Sequence, residues 1–236
     1  GRPMIPLRDD NPVRSRPVFT VVLIVVCSLV FLWQTTLPAR AAQQAVYLLG
    51  FIPALLFGNA TLEGGQWLPA TATVFTAMFL HGGWMHLLGN MLYLWIFGDN
   101  IEDRLGHGRF VAFYFVCGGV AALGQGLMDT SSQVPMIGAS GAISGVLGAY
   151  LVLFPRARVL VLLPLFVIFY TVRVPALVVL GLWFAGQLLS SLVATSGPAG
   201  GVAFAAHVGG FAAGIALTPF LSKFPLFGRR QGGPWG

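Results

Sequence analysis

The stretch Gly138-Ala139-Ser140-Gly141-Ala142-Ile143-Ser144-Gly145 opens an apolar run that continues to Phe154. A second apolar run carries Ala206-His207, with Gly210 and Gly214 shortly after them. Both runs have the composition of membrane-spanning helices, in which a serine and an ionisable histidine are costly to bury. Polar groups held at such a cost indicate a functional site first and helix packing second.

The overall composition also indicates a membrane protein. Of the 236 residues, 56% are hydrophobic and only 8% are charged, whereas a soluble domain usually carries about 25% charged residues. Cys27 and Cys117 both lie in apolar runs, which argues against a disulfide framework. The net charge is +6, but the basic residues do not cluster beside aromatic residues, so nucleic-acid binding is not predicted.

Six apolar runs are close to the length that a membrane-spanning helix needs. They cover about Val18–Leu37, His86–Ile101, Phe110–Met128, Gly138–Phe154, Pro175–Val193 and Val202–Leu221. The shorter apolar stretch Val159–Phe169 is flanked by Arg158 and Arg173 and contains Pro164, so we expect an interfacial connection there. The prediction is an all-α membrane protein, a compact bundle of six transmembrane helices.

The basic residues orient these spans. If the amino terminus is cytoplasmic, all of the 13 lysine and arginine residues except Arg40 lie on the cytoplasmic side, as the positive-inside rule expects. We therefore predict a cytoplasmic arm over residues 1–17, a membrane domain over 18–221 and a cytoplasmic tail over 222–236. The first run is too long for a cleavable signal peptide. The expected location is a bacterial plasma membrane, with both termini cytoplasmic.

The connection between the first two spans, from about Pro38 to Met85, is much longer than the other external connections. It is rich in large apolar residues, and Gly50, Pro53 and Pro69 are among the residues that interrupt it. Short amphipathic helices lying in the outer membrane interface satisfy both observations. A long ordered connection of this kind usually has a function.

The second span carries His86 and Asn90, which are four residues apart and therefore share one helical face. His81 lies just before them, so a zinc site has to be considered. No acidic residue or cysteine stands at ligand spacing, and His81 and His86 are not the i,i+4 pair of a helical zinc site. We predict neither a metal ion nor a cofactor.

Predicted topology places four polar residues at one depth. Spans two, four and six run in the same direction, and His86, Asn90, Ser140 and His207 each fall near the beginning of their span. The glycines of spans four and six allow those two helices to approach closely. We therefore expect the four side chains to meet in the outer part of the membrane.

This combination of residue types is suited to nucleophilic catalysis. Ser140 is a weak nucleophile unless a neighbouring base takes its proton, and His207 is the candidate base. His86, Asn90 and the backbone N–H of Ser140 are candidate donors to an oxyanion. No carboxylate is available to orient His207, so the prediction is a two-residue dyad.

These motifs resemble those of the rhomboid family of intramembrane serine proteases. The resemblance rests on Gly138-Ala139-Ser140-Gly141, on Ala206-His207-Val208-Gly209-Gly210 with Gly214, and on His86-Leu87-Leu88-Gly89-Asn90. It implies Ser140 as nucleophile, His207 as general base, and His86 with Asn90 as oxyanion donors. It also implies that the long external connection is embedded in the membrane and that span five acts as a lateral gate. Trp183 and Phe184 are then candidate gate residues.

Two positions depart from the family pattern. Many rhomboids have an aromatic residue four positions after the nucleophile, packed against the catalytic histidine, where this chain has Ser144. His207 must therefore be oriented by something else, for example the aromatic ring of Phe204 or a water molecule. The Trp-Arg pair common in the external loop is also absent, since Leu68 follows Trp67. Neither departure removes a catalytic group.

The leading hypothesis is an endopeptidase that cleaves other membrane proteins in or near their transmembrane segments. The expected partners are transmembrane protein substrates and the lipid bilayer, without nucleic acid, and the oligomeric state is left open. We expect a preference for helix-weakening residues and for a small residue before the cut. The alternative is a non-catalytic chaperone or quality-control protein of the same fold that binds transmembrane helices. A transporter is disfavoured, because the sequence has no internal repeats and few charges along its spans.

Overall fold

The computed structural model of the chain describes residues 5–11, 13–61, 65, 68–165, 168–194 and 204–222. Trp67 and most of the predicted tail lie outside these residues, as do the first four residues of the predicted arm. Helices dominate the described part. They are α1 (Val18–Thr36), α2 (Ala39–Leu49), α3 (Pro53–Leu56), α4 (Ala70–Thr76), α5 (Trp84–Leu105), α6 (His107–Met128), α7 (Ser140–Leu153), α8 (Ala176–Ala194) and α9 (Phe204–Leu221).

Each of the six predicted spans coincides with one of the helices α1, α5, α6, α7, α8 and α9. Within the described residues, α1, α6 and α9 are individually long and apolar enough to cross a membrane, and α7 and the first part of α8 are shorter apolar helices. The prediction of an all-α membrane fold is confirmed at this level, whereas the count of six spans stays a prediction. On α1, apolar side chains such as Val22, Leu29 and Leu32 are exposed, which suits a helix surrounded by lipid.

The long helices run in two opposite directions. Helices α5, α7 and α9 begin at the end of the bundle that carries Ser140, and α1, α6 and α8 begin at the other end. We call these the Ser140 end and the Glu102 end. The protein core lies between them and includes the fully buried side chains of Leu94, Phe97, Phe110 and Leu147.

The connection between α1 and α5 contains the short helices that its sequence predicts. After α4, a single 3-10 turn at Ala77–Phe79 leads towards α5. The backbone of Phe51 exchanges two hydrogen bonds with Met136, at 3.0 and 2.8 Å, and Gly138 N–H donates to the carbonyl of Ala77 at 2.9 Å. The connection is therefore anchored to the segment that immediately precedes Ser140. The backbone groups of Phe51 and Ala77 make these contacts, so this anchoring does not involve Trp67.

A three-stranded antiparallel sheet at the Glu102 end was not predicted. Its strands are β1 (Ile5–Asp9), β2 (Arg158–Leu165) and β3 (Ile168–Pro175), in that order across the sheet. The stretch predicted as an interfacial connection thus forms a β-hairpin between α7 and α8. The sequence alternates in the way a strand requires, because Val159 and Val161 are buried while Arg158 is exposed.

A buried carboxylate organises the helix ends beneath this sheet. Glu102, which is 0% exposed, accepts hydrogen bonds from the N–H groups of Phe19 and Thr20 at 2.9 and 2.8 Å. It also accepts one from the Thr20 hydroxyl at 2.8 Å and lies 2.5 Å from Nδ1 of His107. The first N–H groups of a helix have no partner within the helix. Glu102 of α5 supplies that partner for the beginning of α1.

A second polar group joins the amino-terminal strand to the helices. The Tyr150 hydroxyl on α7 donates to the Asp9 carboxylate at 2.6 Å, and the Asn11 side-chain amide donates to Asp9 at 2.8 Å and to the Tyr150 oxygen at 2.7 Å. Burial raises the pKa of the Asp9 carboxyl above its ordinary value of 3.8, and the hydrogen bonds from Tyr150 and Asn11 oppose that shift. Strand β1 is therefore held by side chains as well as by its pairing with β2.

Candidate active site

Ser140 is the first residue of α7 and is presented by a glycine turn. Gly138 adopts a φ of 122°, in the region that L side chains rarely occupy. A Cβ atom added there would lie 2.6 Å from Nε2 of His86. Position 138 therefore requires glycine both for its backbone conformation and for the space beside His86. Because Gly138 has no side chain, α5 can approach the backbone that directly precedes Ser140.

Glycines also bring α9 against α7. A Cβ at Gly210 would collide with the backbone carbonyl of Gly141, and one at Gly214 would collide with that of Gly145. The two helices thus pack backbone against backbone along this face, which is the close approach that small residues permit in membranes. The predicted proximity of spans four and six is present in the fold.

This packing places His207 beside Ser140. Nε2 of His207 lies 2.8 Å from Oγ of Ser140, within hydrogen-bonding distance. The imidazole is only 2% exposed. Its other nitrogen, Nδ1, has no hydrogen-bond partner among the described residues. The serine therefore supplies the one hydrogen bond that the structure gives this ring.

The aromatic ring in contact with His207 belongs to Trp183 of α8. The two ring centroids are 5.3 Å apart and the planes are tilted by 58°. From the sequence, Phe204 is an expected partner of His207 and Trp183 is expected only as a gate residue. No ring contact joins Phe204 to His207 in the described part of the chain. The sequence carried no signal for this pairing, because it depends on how α8 packs beside α9.

Ser144 stands where the family pattern has an aromatic residue, and here it is fully buried. Its hydroxyl donates to the backbone carbonyl of Ser140 at 2.7 Å, one helical turn away. Ser144 thus satisfies its own polar group within α7. It provides no aromatic ring for His207.

His86 and Asn90 flank the same turn from α5. Their nitrogens Nε2 and Nδ2 would lie 2.6 and 3.8 Å from a Cβ at position 138, so both side chains face the backbone just before Ser140. Nδ1 of His86 accepts a hydrogen bond from Gly82 N–H at 3.3 Å. Nδ2 of Asn90 is buried without a hydrogen-bond partner in the described structure. A buried amide left in this state is available to a ligand.

His81 belongs to the support of this region. Its backbone N–H donates to the Gln34 side chain on α1 at 3.0 Å, and its ring packs against that of His86 with centroids 5.1 Å apart. Across the described ranges, no three His, Cys, Asp or Glu side chains are grouped so that they could hold a metal ion. Of the three histidines at this end, His207 is the one that contacts Ser140.

A small cavity of about 30 Å³ opens beside Ser140. Its lining includes Met78, Gly118, Ile137 and Ala206. A cavity of this size has room for at least one water molecule. The cavity is therefore large enough for a water molecule or for a small side chain next to the serine.

Comparison with known proteins supplies an independent line of support. A family model described as the Rhomboid domain matches residues 69–224, which is more than half of the chain. The chain is 31% identical to Rhomboid protease GluP of Bacillus subtilis over 172 residues, 73% of this chain and 30% of that protein. It is 33% identical to mitochondrial Rhomboid protein 1 of Saccharomyces cerevisiae over 158 residues, 64% of this chain and 42% of that protein.

A third relative, RHOMBOID-like protein 5 of Arabidopsis thaliana, is 36% identical over 89 residues, 38% of this chain and 27% of that protein. In each of the three comparisons the matched part is less than half of the relative's length. One of these three relatives is named as a protease, whereas the names of the other two state no activity.

Proposed function

Since this chain belongs to the rhomboid family and is a multi-pass membrane protein, we propose that it is an intramembrane serine endopeptidase with a Ser140–His207 dyad. The observation that carries the proposal is the 2.8 Å separation of His207 Nε2 and Ser140 Oγ inside the helix bundle. A serine and a histidine at this distance can act as the nucleophile and the base of acyl transfer. The similarity to a relative named as a protease supports the same reaction class.

The first half of the reaction forms an acyl-enzyme. Ser140 Oγ attacks the carbonyl carbon of the scissile peptide bond while His207 Nε2 takes its proton. The tetrahedral intermediate collapses when His207 returns this proton to the leaving amine, and the substrate's acyl group remains as an ester on Ser140. In the second half, His207 takes a proton from water, the water attacks the ester, and Ser140 is regenerated with its proton.

The intermediate carries a negative charge that needs donors. Because α7 begins at Ser140, the N–H groups of its first turn have no partner within the helix, and they form its positive end. The unpartnered Nδ2 of Asn90 and the His86 ring line the neighbouring face. We assign oxyanion stabilisation to the Ser140 N–H, Asn90 and His86.

The substrate is a transmembrane or membrane-proximal segment of another membrane protein. A helical backbone hides its carbonyl groups in hydrogen bonds, so the segment has to unwind before Ser140 can attack it. We therefore expect cleavage where helix-weakening residues occur. The small cavity beside Ser140 supports a small residue immediately before the cut.

The proposed topology follows from charge. Arg104, Arg109, Arg158 and Arg173 lie at the Glu102 end, whereas Arg40 lies on α2 in the connection that packs at the Ser140 end. By the positive-inside rule, the Glu102 end is cytoplasmic and the Ser140 end opens to the outer side. We propose a six-span domain over residues 18–221 in a bacterial plasma membrane, with the arm and tail in the cytoplasm.

A fluorophosphonate probe tests the proposal directly. Ser140 Oγ forms a bond to phosphorus, fluoride leaves, and His207 takes the serine proton. We expect the wild-type protein to be labelled and to cleave a membrane-protein substrate in detergent, and we expect both activities to disappear in Ser140→Ala and His207→Ala. Ser144→Ala is the matched control, because it removes a buried hydroxyl one turn away and should retain labelling.

Two results would reject the proposal. One is cleavage by purified Ser140→Ala protein at the wild-type rate. The other is a folded wild-type protein that neither reacts with the probe nor cleaves any membrane substrate, while it still binds transmembrane helices. That second result would favour the non-catalytic helix-binding alternative.

A further inference from the structure

The imidazole of His207 is buried, but among the described residues one hydrogen bond fixes its orientation. Its Nε2 faces Ser140, and its Nδ1 has no hydrogen-bond partner in the part of the chain that the structure describes. No carboxylate hydrogen-bonds to it there, and Ser144 provides no ring from α7. The imidazole also makes a ring contact with the indole of Trp183, whose centroid lies 5.3 Å away, and this contact can fix the plane of the imidazole.

We propose that Trp183 of α8 is a positioning residue for His207. It takes the role of the aromatic residue that many rhomboids carry four positions after the nucleophile, where this chain has Ser144 on α7. The inference rests on the proposed function, because it assigns His207 the role of base. Trp183 is assigned no bond-forming or proton-transfer step. It acts through the imidazole by limiting the orientations in which Nε2 faces Ser140.

The chemistry of the ring pair favours an aromatic residue at this position. When His207 takes the serine proton, it becomes an imidazolium cation. A tryptophan ring within about 6 Å attracts a cation through its quadrupole, more strongly than tyrosine or phenylalanine does. The same contact therefore orients the neutral base and stabilises its charged form, whereas an aliphatic side chain of similar bulk does neither.

Trp183 is itself held by other rings. It packs against Tyr93 on α5, with centroids 5.9 Å apart, and against the neighbouring Phe184 at 4.9 Å. Phe184 in turn packs edge-on against Phe211 of α9 at 4.7 Å. The indole is therefore placed by three helices, and its position beside His207 is defined by the fold.

Among the described side chains of the helix that carries Trp183, burial is concentrated near its beginning. Among its described side chains, the buried ones are Ala176, Val179 and Leu180, and Leu182 and Leu189 are about half exposed or more. A displacement of the later part of α8 would separate Trp183 from His207. The position of α8 is therefore coupled to the orientation of the His207 ring. The dyad is fully oriented only when α8 is packed against α5 and α9.

The decisive experiment compares Trp183→Leu with Trp183→Phe. Misplacement of a catalytic group by about 1 Å costs on the order of 100-fold in rate. We expect Trp183→Leu to lower kcat by about 10- to 100-fold with little change in KM, and Trp183→Phe to recover most of the loss. Labelling by a small fluorophosphonate should fall in parallel, because its reaction with Ser140 needs an oriented base. The probe does not need α8 to move aside for a transmembrane segment, so its labelling reports on the base and not on substrate access.

Controls separate positioning from folding. Phe184→Leu removes one of the rings that hold Trp183 but keeps Trp183 itself, so its probe labelling should fall between those of the wild type and Trp183→Leu. Leu182→Ala, at an exposed position of α8, should match the wild type in both assays. If Trp183→Leu melts below the wild type, Trp183→Met provides a flexible apolar replacement in its place.

The outcomes are separable. If Ser140→Ala abolishes cleavage and labelling while Trp183→Leu retains wild-type kcat and labelling, the inference is wrong and the proposed function stands. Loss of cleavage with unchanged probe labelling in Trp183→Leu would also overturn it, because Trp183 would then act only on substrate access. If Ser140→Ala keeps wild-type cleavage, the proposed function fails, and the inference fails with it.

Discussion

The two ends of the helix bundle both bury polar side chains, but they treat them differently. At the Glu102 end, Glu102 and Asp9 each accept hydrogen bonds from several donors on other elements. At the Ser140 end, Asn90 Nδ2, His207 Nδ1 and His81 Nε2 are buried with no partner in the described residues.

This difference has an energetic meaning. A buried polar atom without a partner costs about 1–3 kcal/mol, so a fold keeps one only where something else requires it. The satisfied groups at the Glu102 end join α1, α5, α7 and β1 and so contribute to stability. At the Ser140 end, the unpartnered Nδ2 of Asn90 is available to a substrate. Substitutions at one end should therefore change stability, and substitutions at the other should change catalysis.

Two asparagines on α5 allow the largest expected effect to be measured against a matched control. Asn90→Ala should lower kcat by about 100- to 1000-fold, because it removes a proposed oxyanion donor. It should not lower the free energy of unfolding, since Nδ2 has no hydrogen-bond partner to lose among the described residues. Steady-state cleavage and unfolding in detergent measure the two quantities.

Asn100, on the same helix at the Glu102 end, should behave in the opposite way. It is 2% exposed, and its side-chain amide donates to Asp99 at 2.8 Å. Asn100→Ala should cost about 1 kcal/mol of stability and leave kcat per folded molecule unchanged. Equal activities for the two variants would break the comparison between the ends.

Glu102 should have the largest effect on stability. Glu102→Ala leaves the N–H groups of Phe19 and Thr20 without their acceptor in a buried setting, which should cost about 3 kcal/mol or more. Asp103→Ala is the control, since Asp103 accepts its bonds from the partly exposed Ser15 and its loss should cost about 1 kcal/mol. Denaturant titration in micelles compares them, and a Glu102→Ala protein as stable as the control would contradict the assignment.

The glycine contact between α7 and α9 links packing to catalysis. Gly210→Ala forces a methyl group towards the Gly141 carbonyl, so α9 has to move away and His207 moves with it. We expect a stability loss of about 1–3 kcal/mol and a fall in kcat on the order of 100-fold. Gly124→Ala on α6, where a Cβ meets open space, is the matched control. Wild-type cleavage by Gly210→Ala protein would show that this close approach does not position the dyad.

The helices could be predicted because apolar composition over a membrane-length run is a local property. The proximity of Ser140, His207, His86 and Asn90 could also be predicted from the sequence, because helix direction alternates and each residue stands near the start of its span. Strand β1 could not be predicted in this way. Its pairing with β2 joins residues 5–9 to 159–162, and nothing local in that short arm specifies a partner so distant in the chain.

The contact between Trp183 and His207 escaped prediction for a similar reason. The side chains lie on α8 and α9, and their contact depends on how far each helix is rotated about its axis. Apolar helices that face lipid on one side and protein on the other carry little periodic signal for that rotation. The motif around His207 predicted the histidine itself, whereas the identity of the ring in contact with it depends on how the helices pack.

The smallest expected effect tests whether the two ends are independent along a single helix. Tyr150 lies on α7, the helix that begins with Ser140, and its hydroxyl donates to Asp9. Tyr150→Phe should cost about 1 kcal/mol of stability, because it removes that hydrogen bond and keeps the ring packed against Phe97. Labelling of Ser140 by the fluorophosphonate should be unchanged in the folded protein. A fall in labelling without a fall in stability would mean that the amino-terminal strand acts on the dyad through α7, and the separation between the two ends would then be wrong.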